Sequence, residues 1–101
     1  MRKVSILIGD SAESFNKAST KINTWNSKSK QFIDNAIVEI IKGLNKDTKV
    51  CAELFVKVKN TLVMKLQETL KYTGSTVRDS GVLGVDVNGT TFKIKYKVEP
   101  A

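Results

Sequence analysis

The side chain best suited to covalent chemistry is Cys51, the single cysteine of the 101-residue chain. A thiol attacks as its thiolate, and the chain contains no histidine to draw the proton away. Activation would fall to a lysine or to a helix N-terminus. Cys51 falls in the first turn of a helical pattern but on its apolar side, where a free cysteine serves as small core filler. The missing imidazole also removes the usual general base, the triad partner and the commonest metal ligand. One thiol makes neither an internal disulfide nor a cysteine-rich zinc site. The ten acids include no Asp-x-Asp pair, and there is no phosphate-binding loop or dinucleotide fingerprint. The expectation is a protein that is not an enzyme, with no cofactor and no metal.

Ser11 is the other candidate nucleophile. Ile8-Gly9-Asp10-Ser11 resembles the first block of the GDSL, or SGNH, hydrolases, over these four residues. The resemblance implies a nucleophilic Ser11 served by a histidine base, which this chain lacks. The residues themselves read as the start of a helix, with Asp10 as its cap and Glu13 completing a capping box.

Lysine is the remaining chemistry. Fifteen lysines and two arginines face ten acids, for a net charge of +7. Residues 1–25, 26–49 and 50–74 each carry +2 and residues 75–101 carry +1, so no segment forms a basic tail. Local order is nevertheless present near the C-terminus, where Phe92, Ile94, Tyr96 and Val98 alternate with Lys93, Lys95 and Lys97. On a strand those three ammonium groups would repeat every ~7 Å along one line, suited to a phosphate backbone or an acidic protein surface. The competing explanation is that lysines on an exposed edge strand deter sheet-to-sheet association. Trp25 beside Lys28 and Lys30 forms a second candidate contact, an aromatic among cations. Arg2 and Arg78 are the only planar forks for bidentate recognition, so base-specific reading is not expected. Met64, on the polar side of a helix, is a weaker contact candidate.

The elements that must carry these residues follow from periodicity. Val4, Ile6 and Ile8 alternate in a β-branched run and predict a strand over 3–8. Phe15, Ala18, Ile22 and Trp25 recur at three- and four-residue spacings, predicting a first helix over 11–24. Ile33, Ile37, Ile40, Ile41 and Leu44 predict a helix over 29–42, capped by Ser27 or Ser29 and ended by a left-handed Gly43. Residues 48–72 fit both periods, and one long helix is favoured because no Gly, Pro or turn pair interrupts them. Asn88-Gly89 between two alternating runs predicts a type I′ hairpin that pairs Val87 with Thr90, Val85 with Phe92 and Leu83 with Ile94.

The length suits one domain over 1–101. The predicted fold is α+β: a small, mostly antiparallel sheet, made of the N-terminal strand plus the C-terminal hairpin, packed on two or three helices. The apolar run after Met1-Arg2-Lys3 is too short for a signal peptide or a membrane span. A soluble, cytoplasmic protein without a membrane partner is expected. Codon-AT-rich residue types dominate, as in many phage and mobile-element proteins. The leading expectation is therefore a small inhibitor or adaptor occupying a surface of a host protein or nucleoprotein complex. The alternative is a lysine-driven, sequence-non-specific nucleic-acid-binding protein.

Overall fold

The computed structural model describes residues 1–10, 15–71 and 78–101. The described elements run β1 (Arg2–Gly9), β2 (Asn16–Ile22), α1 (Ser27–Gly43), α2 (Thr48–Leu70), β3 (Asp79–Val87) and β4 (Thr90–Pro100). The four strands form one antiparallel sheet in the order β2-β1-β4-β3. Both helices pack on the same side of it, so the fold is α+β with the N-terminal strand and the C-terminal hairpin set against helices.

The core is the layer between sheet and helices. α1 supplies Ile33, Ala36, Ile37, Ile40 and Ile41, and α2 supplies Leu54, Val58, Leu62, Val63, Leu66 and Leu70. The sheet answers with Val4, Ile6, Ile8, Ile22, Val85, Val87, Phe92, Ile94, Tyr96 and Val98. Each valine, leucine, isoleucine or phenylalanine among them contributes about 1.5–3 kcal/mol by leaving water, which makes this layer the source of stability.

Local signals set the ends of the elements. The Asn26 side chain, not Ser27 or Ser29, caps α1 by accepting from the Ser29 amide at 2.9 Å. Ser29 is buried instead, its hydroxyl donating to the Thr24 carbonyl. Asp47 caps α2, accepting from the Val50 amide at 2.9 Å. Gly43 is the last residue of α1, and the left-handed residue is Asn45, with φ 56°. The reason for glycine at 43 is proximity: a Cβ there would run into the side-chain amide of Asn16, which donates to the Ile40 carbonyl. In the hairpin both Asn88 (φ 51°) and Gly89 (φ 81°) take positive φ, and the three anticipated pairs form.

Residues 16–22 depart from the helix predicted over 11–24, since they form the edge strand β2. The apolar residues there are few enough to satisfy two periods. Asn16, Ala18, Thr20 and Ile22 also alternate with Lys17, Ser19 and Lys21, and pairing with β1 puts the first set on the core side. β1 decides between the readings. It is buried along most of its length and needs a hydrogen-bonded neighbour on each edge, and β2 supplies the second. Ser11 and Glu13 lie outside the described residues, and so does Gly74. Asp10 is ion-paired with Lys46 at 2.9 Å.

Arg2 is 1% exposed. Its guanidinium donates to the carbonyls of Leu70 at 2.9 Å and Asn23 at 3.0 Å, with Thr69 at 3.5 Å. A cation thus meets the C-terminal carbonyls of α2, where the helix dipole favours it. Arg2 holds the end of a helix and is not offered to a ligand.

Candidate functional site

Lys93, Lys95 and Lys97 point away from the core, as their alternation requires. Their strand is not at an edge, however. β4 lies between β1 and β3, and the edges are β2 and β3. Protection of a free strand edge therefore does not account for these lysines.

The face they occupy can be built from the register. β1 places Lys3, Ser5, Leu7 and Gly9 on it, and β2 places Lys17, Ser19 and Lys21. β4 adds Lys93, Lys95, Lys97 and Glu99, and β3 adds Ser80, Val82, Gly84 and Asp86. Among the described residues no helix packs on this side. Among the described strand residues six lysines share it with two acids, and both acids stand at its ends. Glu99 is 3.3 Å from Lys97, and the Asp86 carboxylate accepts from the Thr91 hydroxyl at 2.6 Å. Among the described residues, Lys97–Glu99 is the one ion pair that involves a lysine of the face.

The lysines lie in two lines with a low floor between them. β2 and β4 flank β1, about 10 Å apart at two strand spacings. Between them β1 offers a serine, a leucine and a glycine. Ser5 is covered by its neighbours and Leu7 is half-buried. At one end Phe15 turns to the same side, its ring centre 4.7 Å from the Lys95 ammonium. On the other flank Val82 is 61% exposed opposite Lys95. Gly84 sits beside Lys93, and a Cβ there would meet nothing nearer than the Phe92 carbonyl oxygen at 4.0 Å. The fold does not demand glycine at that position, although glycine weakens a strand.

Gly81 differs. A Cβ at Gly81 would stand 2.7 Å from the Tyr96 hydroxyl, so the ring of Tyr96 fills the space that glycine leaves on the core side. Burial of that ring, and next the charge of Asp79, hold the Tyr96 hydroxyl above its ordinary pKa.

No protein-family model matches this chain, and no curated protein or solved structure is significantly similar to it. The site therefore stands on its own geometry.

The second group of candidates is elsewhere. Trp25, Lys28 and Lys30 lie at the junction of β2 and α1, and Trp25 is half-buried against the core. The aromatic beside Lys28 is Phe32, 5.9 Å from its ammonium to the ring centre. The structure thus does not join this group to the lysines of β4. Cys51 is half-buried at the core margin and donates to the Lys46 carbonyl at 3.4 Å. Met64 is 67% exposed on α2. Among the described residues no three Cys, Asp or Glu side chains gather as a metal site would need, and no helix is long and apolar enough to cross a membrane.

Local patterning missed Lys3, Lys17, Lys21 and Phe15. The signal was present in Lys17-x-Ser19-x-Lys21, which alternates as the β4 lysines do.

Proposed function

We propose that this protein is a non-catalytic binding protein whose open sheet face occupies an anionic surface of a macromolecular partner, as an inhibitor or adaptor would. The observation that carries the reading is the central position of Lys93, Lys95 and Lys97, in line on a face that no described helix covers, with Lys3, Lys17 and Lys21 nearby. Side chains so placed are not needed at an edge and not used in the core. Lysines at ~7 Å intervals repel one another by about 0.6 kcal/mol per neighbouring pair in water, and by more near a protein surface of lower effective dielectric. An anionic partner relieves that repulsion. The lack of histidine leaves Ser11 and Cys51 without the usual base, which supports action by contact.

The test is to replace Lys93, Lys95 and Lys97 together by Glu and measure retention on an immobilised polyanion such as heparin at low salt. Wild type should be retained and released as salt rises, and the variant should pass through while melting within a few degrees of wild type. Equal retention of a folded variant would contradict the proposal.

A further inference from the structure

We infer that the partner recognised by this face is single-stranded nucleic acid, bound without sequence preference. The inference rests on the polyanion reading above and adds what the floor between the lysine lines is suited to. An anionic polymer has two parts, a charged backbone and the groups it carries. The lysines of β2 and β4 make a track for the first. Exposed Val82 and half-buried Leu7 and Phe15, set among those lysines, are apolar groups that phosphate alone has no use for. Bases in a single strand offer their flat faces to such groups, whereas a duplex keeps those faces inside its stack.

Three details point the same way. The Lys95 ammonium lies over one face of the Phe15 ring, so one residue pair holds an aromatic group and a phosphate contact together. Neither residue beside Lys93 carries a side chain: Gly9, which is buried, lies on one neighbour strand and Gly84, which is exposed, on the other. Gly84 has room for a side chain and lacks one, which keeps the floor low where a base would lie. Finally, the cations carried by the strands of the face are all lysines; Arg2 is buried, and Arg78, just before β3, lines a shallow pocket with Ser80 and Lys97. One guanidinium at the margin of the face cannot read a run of base edges, so affinity would come from charge and stacking more than from sequence.

The experiment measures fluorescence anisotropy of a labelled oligothymidylate, a duplex of the same length, and polyglutamate, each titrated with the full chain at about 50 mM and about 200 mM salt. The oligothymidylate should bind in the micromolar range at the lower salt and at least tenfold more weakly at the higher. The duplex and polyglutamate should bind at least fivefold more weakly than the single strand. Phe15→Ala, and Phe15→Leu, which keeps apolar bulk, should each weaken single-strand binding about fivefold or more, the loss expected for one stacked base. The salt dependence should be unchanged in both, because no phosphate contact is removed. Duplex or polyglutamate binding equal to or tighter than single-strand binding, or full affinity in a folded Phe15→Leu variant, would overturn this inference and leave the polyanion reading standing. No binding to any of the three at the lower salt would overturn both.

Discussion

The helical surface and the open sheet face carry lysine in different ways. From Lys28 to Lys71 nine lysines are interleaved with five acids. Lys57 and Lys59 there stand 3.7 Å and 3.9 Å from Glu53 and Asp34, and Lys46 pairs with Asp10. On the sheet face six lysines line up on neighbouring strands and the two acids stand at the ends. Positive charge dispersed among acids keeps a surface hydrated with little field, while the same charge aligned without acids builds a potential that attracts anions. Composition alone cannot separate these arrangements, because segment charges are nearly even along the chain. The sheet register does.

Both surfaces depend on the layer between them, and Ile37 of α1 is fully buried there. Ile37→Asp would bury an unpaired carboxylate at a cost of several kcal/mol, enough to unfold a domain of this size. Circular dichroism should show loss of the cooperative thermal transition; a melt like that of wild type would mean that α1 does not cover the sheet as described.

A second variant sharpens the contrast between surfaces. Lys42, Lys49 and Lys65 are exposed on the helical side. Their joint replacement by Glu changes net charge by the same six units as the β4 replacement, yet should lower polyanion affinity far less, at most about threefold through the general field. Loss equal to that of the β4 variant would show that net charge, not alignment, drives binding.

The two glycines of β3 separate fold from face. Gly81→Ala should cost about 1–3 kcal/mol, because the added methyl collides with Tyr96 in a packed layer. Gly84→Ala meets open space and should be neutral or stabilising by up to about 1 kcal/mol. Chemical denaturation of both variants checks the pair, and equal losses would contradict the assignment of Gly81 to the core side and Gly84 to the open face.

The smallest effect is in pH. The Tyr96 hydroxyl holds its proton more tightly in the folded chain than in the unfolded one. Its contribution is therefore complete below about pH 10 and is lost as pH rises through the higher folded value. Tyr96→Phe should show a smaller fall in stability between neutral and strongly alkaline pH than wild type. An identical fall in both would remove Tyr96 as the cause.

Much of the fold was legible because local chemistry and tertiary need agreed. Asn88-Gly89 demanded a tight turn, the two apolar arms agreed with its register, and α1 had one continuous apolar side; α2 fitted both periods, and the absence of Gly, Pro or a turn pair chose the helix. β2 was not legible, since its few apolar residues fitted the helical spacing as well as the alternating one, and only the unmet edge of β1 chose between them. The lysines of β4 were legible as a row from alternation alone. Their place in the middle of the sheet was not, because pairing of β1 with β4 joins opposite ends of the chain, and no local pattern encodes which neighbour a strand takes.

Amide chemical-shift mapping during titration with oligothymidylate at low salt locates the binding surface residue by residue. Shifts should concentrate on β4, β1 and β2, led by residues 93–97, 5–9 and 17–21, with α1 and α2 nearly unmoved. Shifts centred on the exposed side of the helices, with β4 silent, would contradict the account.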